Sequence, residues 1–93
     1  MDNNEAHAML EGELKSYRSK AYLELVELMG EVIAYEKEAR SGRRYQIEIQ
    51  VVWDLKEGGD IRVIGCIDDG GWRAFFPLTN GFLMNPEGQF VGE

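Results

Sequence analysis

Cysteine and histidine are almost missing from this chain, with one of each, Cys66 and His7, in 93 residues. A single cysteine excludes an intramolecular disulfide and makes a reducing compartment the simpler expectation. One Cys and one His also fall short of the clustered sets that hold zinc. Prolines number two, Pro77 and Pro86, so nothing interrupts backbone hydrogen bonding over the first 76 residues. No apolar run approaches the ~18 residues that a membrane span requires. The N-terminal stretch, with Asp2, Glu5, Glu11 and Glu13, carries the wrong charge for a secretion signal. Basic residues are scarce too: ten Lys and Arg against seventeen Asp and Glu leave a net charge of −7. Phosphate-backbone binding rests on clustered cations, and Arg40, Arg43 and Arg44 are the only basic cluster. The expectation is a soluble, cytoplasmic, acidic protein with neither a nucleic acid nor a membrane as partner.

What is present suffices for a core. Hydrophobic residues make up 44% of the chain, and two Trp, four Tyr and four Phe are among them. Residues 1–93 read as one domain, at the small end of what folds alone. Within it, residues 1–41 read as a helical half and residues 43–93 as an antiparallel sheet half.

In the first half apolar residues recur at helical spacing: Leu10, Leu14, Tyr17, Ala21, Leu25, Leu28, Val32, Tyr35 and Ala39. Ser41-Gly42 supplies a stop. Ser16 or Ser19 could cap a second helix, which gives a short first helix and a long second one. One continuous rod is the alternative. The long helix carries apolar side chains over half its wheel, more than one sheet face can cover. Glu24, Glu27, Glu31 and Glu38 form its opposite ridge.

The second half begins with strict alternation from Tyr45 to Leu55. Tyr45, Ile47, Ile49, Val51, Trp53 and Leu55 share one strand face. Lys56 to Asp60 has the composition of a five-residue hairpin loop. Closing it pairs Trp53 with Val63, Val51 with Gly65 and Ile49 with Ile67, with Asp54 facing Arg62. Asp69-Gly70 is a two-residue turn signal that sets Ile67 against Trp72, Gly65 against Ala74, Val63 against Phe76 and Ile61 against Leu78. Asn80-Gly81 and Asn85-Pro86-Glu87-Gly88 read as further turns, with short strands at Phe82-Leu83-Met84 and Gln89-Phe90-Val91. The fold class predicted is α+β: one or two N-terminal helices on one face of a four- or five-stranded antiparallel meander.

Catalytic signals are weak. Nucleophilic catalysis needs a base held beside Ser, Cys or Thr, and His7 sits in a polar N-terminal stretch. Cys66 falls on a half-buried strand face with Arg73 opposite, and a structural thiol is the plainer reading. Asp68, Asp69 and Asp60 adjoin glycines as turn formers do, without the alternate oxygen ligands of a calcium loop. The glycine pairs at 58–59 and 70–71 do not lie between a strand and a helix start, where phosphate loops place them. No catalytic, metal or cofactor site is expected.

Two surfaces stand out instead. On the sheet's outer face the row Val52, Ile64, Phe75 is apolar where a solvated face should be polar, with Arg62 and Arg73 beside it. Glu24, Glu27 and Glu31 form an acidic ridge suited to a basic partner. The function expected is therefore a non-enzymatic interaction module, binding another protein or itself as a homodimer. The alternative is a small-ligand or enzymatic pocket between helix and sheet, floored by Gly65 and Ala74 and walled by Trp53, Trp72, Tyr22 and Tyr35.

Overall fold

The computed structural model describes residues 1–71 and 76–93. Two helices, α1 (Asn3–Arg18) and α2 (Tyr22–Glu27), precede five strands: β1 (Val32–Glu38), β2 (Arg44–Trp53), β3 (Ile61–Asp68), β4 (Leu78–Met84) and β5 (Phe90–Val91). The strands form one antiparallel sheet in chain order, β1-β2-β3-β4-β5, not closed into a barrel. The α+β meander with helices on one face is what the residue pattern predicts.

Helix α1 forms where the pattern places it. The Asp2 carboxylate caps it by accepting from the Glu5 N–H at 3.1 Å, and Lys15 and Arg18 sit at its negative end. Ala6, Leu10 and Leu14, four residues apart, make one fully buried stripe. That stripe lies on Gly65 of β3: a Cβ at this position would come within 2.8 Å of Leu10 Cδ1 and 3.2 Å of Leu14 Cδ2. The glycine lets α1 sit close to the sheet backbone.

The long second helix does not exist. α1 ends at Arg18, and α2 is six residues long, opened by Glu24 reaching back to the Ala21 N–H at 2.8 Å. Gly30, at φ 81°, turns the chain into β1. Val32 to Glu38, expected in the helical half, are a strand. Helical spacing through Leu25, Leu28, Val32 and Tyr35 merges side chains from two elements, and the apparent half-wheel of apolar surface superposes α2 on both faces of β1. Two adjacent β-branched residues at Val32-Ile33 favour the strand. Ser41-Gly42 closes a hairpin rather than a helix: Ala39 donates to the Arg43 carbonyl at 2.8 Å, with Gly42 at φ 89°.

The register of β2 and β3 differs from the expected one by two residues. Trp53 faces Ile61, Val51 faces Val63, Ile49 faces Gly65 and Ile47 faces Ile67. The loop keeps its five residues but is displaced by one toward the N-terminus, spanning 55–59 and closed by the Asp54 N–H donating to the Asp60 carbonyl at 2.9 Å. Leu55 falls in that loop and is 92% exposed. Arg62 does bond Asp54, at 2.9 Å, but diagonally, since the residue across from Arg62 is Val52.

β3 pairs with Leu78–Met84 and not through a tight Asp69-Gly70 turn. Ile67 faces Leu78, Gly65 faces Asn80, Val63 faces Phe82 and Ile61 faces Met84. A two-residue turn at Asp69-Gly70 needs positive φ at both residues, yet among the described residues only glycines have it, here Gly70 and Gly71. Phe76, expected against Val63, is exposed. The expected partners Trp72 and Ala74, with Arg73 and Phe75, lie outside the described residues. Asn80-Gly81 is no turn but part of β4. A Cβ at Gly81 would collide with the Val63 carbonyl oxygen, so glycine is what lets β4 approach β3 there. The Asn85 turn joining β4 to β5 forms as expected: Asn85 Oδ1 accepts from the Glu87 and Gln89 N–H groups at 3.1 and 2.9 Å.

Candidate functional site

One sheet face holds the core, and over the other no element lies among the described residues. On the inner face Tyr45, Ile47, Ile49, Val51, Ile61, Val63, Ile67, Phe82 and Met84 are buried with Ala6, Leu10, Leu14, Leu25 and Ala39. The C-terminal strand also turns inward. Phe90 meets Phe82 edge-on at 5.6 Å, and the Arg18 guanidinium of α1 stands over both rings at 5.2 and 4.8 Å. Arg18 bonds Glu93 at 2.7 Å as well, so the chain end is tied to the helix side of the sheet. Neither Phe82 nor Phe90 covers the outer face.

On that outer face the register places four rows. Val52, Arg62, Leu83 and Val91 form one; Val32, Gln50, Ile64 and Gly81 the next; Ala34, Glu48, Cys66 and Thr79 the third; Glu36, Gln46 and Asp68 the fourth. The single apolar row expected from Val52, Ile64 and Phe75 is thus absent in that form. Val52 and Ile64 are diagonal neighbours, each half-buried, and Leu83 completes a triangle of apolar side chains around Arg62. Val32 extends the apolar surface to the sheet edge at 58% exposure. Phe75 and Arg73 lie outside the described residues.

Two shallow concavities interrupt this face. One, of about 390 Å³, runs along Arg62, Ile64, Thr79, Gly81, Leu83 and Val91. The other, of about 290 Å³, is lined by Ala34, Gln46, Glu48, Cys66, Asp68 and Pro77. Its thiol is a poor nucleophile: burial, then the Glu48 and Asp68 carboxylates, push the Cys66 thiol above its ordinary value and keep it protonated. Arg44 pairs with Glu36 and Glu38, and Arg62 with Asp54. No cation pairs with Glu48 or Asp68 among the described residues; Gln50 donates to the first at 3.2 Å, and the Gly70 N–H to the second at 2.8 Å. Among the described residues, two carboxylates and no cation line the second concavity.

The helix–sheet pocket residues are not brought together. Leu10 and Leu14 occupy the space above Gly65. Tyr22 donates to the Gly59 carbonyl at 2.7 Å, beside the β2–β3 loop, while Tyr35 donates to Glu13 at 2.6 Å. Trp53 is half-buried against the core at the end of β2, and Trp72 and Ala74 lie outside the described residues. The Glu13 carboxylate ties α1 to β1. Burial raises its pKa, but hydrogen bonds from Lys37, at 2.7 Å, and Tyr35 outweigh that and hold it low. The Glu ridge is dispersed too: Glu24 and Glu27 stand on α2, and Glu31 follows Gly30 outside any helix. No cluster of three His, Cys, Asp or Glu side chains that could hold a metal occurs among the described residues.

Reading the residues alone missed Val32, Ala34, Leu83 and Val91 on the outer face. The signal for the first two was Gly30 followed by adjacent β-branched residues. Comparison of the chain with known protein families, curated proteins and solved structures finds no match in any of the three.

Proposed function

We propose that this chain is a non-enzymatic protein-binding module whose outer sheet face docks a basic protein partner. One observation carries the reading: among the described residues no element lies over that face, although Val52, Ile64, Leu83, Val32 and Val91 put apolar surface on it. An antiparallel sheet with one solvated face normally alternates cleanly to polar residues, and apolar surface retained there signals association. The carboxylates Glu48 and Asp68, unpaired with any described cation, favour Lys or Arg on the partner's rim and disfavour a second acidic copy face to face.

The test is affinity capture from the native host, with the wild-type chain and an Ile64→Asp variant immobilised side by side. A basic partner retained by the wild type, released by salt and lost with Ile64→Asp supports the reading. Identical captures from both baits sink it.

A further inference from the structure

The sheet has two edges, and only one is blunted. β5 is two residues long and runs into Gly92 at φ 80°, which ends any ladder there. β1 is a seven-residue edge, and five of its side chains, at Val32, Ala34, Glu36, Lys37 and Glu38, are exposed. The outward backbone groups can be assigned. Ala39 donates to Arg43 across the hairpin, and the 39–43 pair continues the β1–β2 register. Hydrogen-bonded and non-bonded pairs alternate along an antiparallel ladder, so Ile33, Tyr35 and Lys37 exchange bonds with β2. Val32, Ala34, Glu36 and Glu38 then turn their N–H and C=O groups away from the sheet.

We propose that this edge pairs antiparallel with β1 of a second copy of the chain, about a two-fold axis at Ala34, joining two five-stranded sheets into one. Self-complementarity selects both the partner and the register. With Ala34 facing its equivalent, Val32 faces Glu36 and the outward-turned amides meet one another, giving about six hydrogen bonds at two per bonded pair. On the inner face Tyr35 lies across from Ile33, an aromatic on β-branched pair, and Lys37, which donates to Glu13 of its own chain at 2.7 Å and keeps half its surface exposed, lies across from Glu31 of the other copy. Each of these pairs occurs twice by symmetry. Moving the axis to Glu36 would oppose two like carboxylates, and moving it to Tyr35 would set Lys37 against Ile33. Only the Ala34 register uses the charges. An apolar-walled groove of about 430 Å³ between α1 and β1, with Ala8, Met9 and Gly12 on the helix side, leaves space beside the new strand. This pairing uses an edge and not the outer face, so it stands or falls apart from the binding role proposed above.

The experiment is sedimentation equilibrium over a broad concentration range, on the wild type, Ala34→Pro and Glu31→Lys. Proline at position 34 removes an N–H that points outward, so the ladder to β2 stays whole and circular dichroism should report a folded chain. The wild type is expected to reach twice the 10.6 kDa chain mass, and Ala34→Pro to stay at that mass. Glu31→Lys should weaken the dimer about tenfold, since a like charge then faces Lys37 at two symmetric places. A wild type monomeric throughout overturns the proposal, as does a dimer indifferent to Ala34→Pro. If Ala34→Pro fails to fold, the charge pair decides: weakening by Glu31→Lys supports the edge pairing, and indifference to it overturns the proposal.

Discussion

Strand β3 presents two isoleucines to opposite environments, and the contrast separates what folds this chain from what is left over for binding. Ile67 lies in the core between Ile47 and Leu78, on the face that α1 covers. Ile64, three residues earlier, lies half-buried on the outer face between Gln50 and Gly81, with no described element over it. A methylene removed from the first leaves a cavity among close-packed neighbours. The same atoms removed from the second leave a dent that water fills. Sequence hydropathy scores the two alike, so burial by α1 and not residue type distinguishes them.

The largest expected effect tests the covered face. Ile67→Ala should cost about 3 kcal/mol in chemical denaturation, the usual range for emptying a core aliphatic site. A loss under about 1 kcal/mol would mean that α1 does not press on the sheet as described.

Two glycines sharpen the same contrast. At Gly81 an added methyl meets backbone, the Val63 carbonyl, and β4 must move away from β3 to admit it. At Gly65 the methyl meets the terminal methyls of Leu10 and Leu14, which can rotate aside at some strain. Gly81→Ala should therefore cost about 3 kcal/mol and Gly65→Ala about 1–2 kcal/mol, both from overpacking. Thermal melts that reverse this order would show α1 to be the more rigid neighbour.

Next in size is the phenol of Tyr45, buried at the α1 end of β2 with its hydroxyl donating to Glu5 at 2.9 Å. Burial, then the Glu5 hydrogen bond and charge, push its pKa up to about 12 from the ordinary 10.0. A raised folded-state value means that the protonated form is what the fold holds. The stabilisation is complete below pH 10 and drains away between about pH 10 and 12, as the unfolded chain gives up its proton first. Tyr35, beside Glu13, shifts in the same direction. Tyr45→Phe should cost about 1 kcal/mol at neutral pH by losing the bond to Glu5, and should flatten the alkaline limb of the stability profile. An unchanged limb would place Tyr45 outside the titration.

Much of this contrast was legible in the residues, and the parts that were not share a physical cause. Alternation from Tyr45 to Trp53 assigns each side chain of β2 to its face, and the structure keeps every assignment. Register is another matter. A slip of one residue exchanges the faces and would have been visible, whereas a slip of two preserves them and leaves the apolar pattern intact. The Asp54–Arg62 pair did not help, because a long arginine reaches a carboxylate across or along the diagonal. β1 was hidden because Val32 and Tyr35 continue a helical spacing begun in α2, and short-range preference yields to the tertiary demand of β2 for a second neighbour. With β1 unread, one strand of the outer face and the edge it forms were invisible. The left-handed glycine at position 42 ends a helix or closes a hairpin equally well. A missing side chain at Gly65 marks space above the sheet, and the sequence does not say whether a ligand or a helix fills it; Leu10 and Leu14 of α1 do.

The smallest stability effect bears hardest on function. Ile64→Ala should change unfolding free energy by less than about 1 kcal/mol, since its side chain is already part-solvated and packs on one layer only. If the outer face is the binding surface, the same substitution should weaken partner capture by far more than it weakens the fold. A buried apolar anchor at the centre of an interface costs about 1–2 kcal/mol or more on truncation, because water is excluded from it only in the complex. Equal losses in folding and binding would mean that Ile64 acts through the stability of β3. A fold loss as large as that of Ile67→Ala would mean that the open face is covered after all, and the difference between the two isoleucines would disappear.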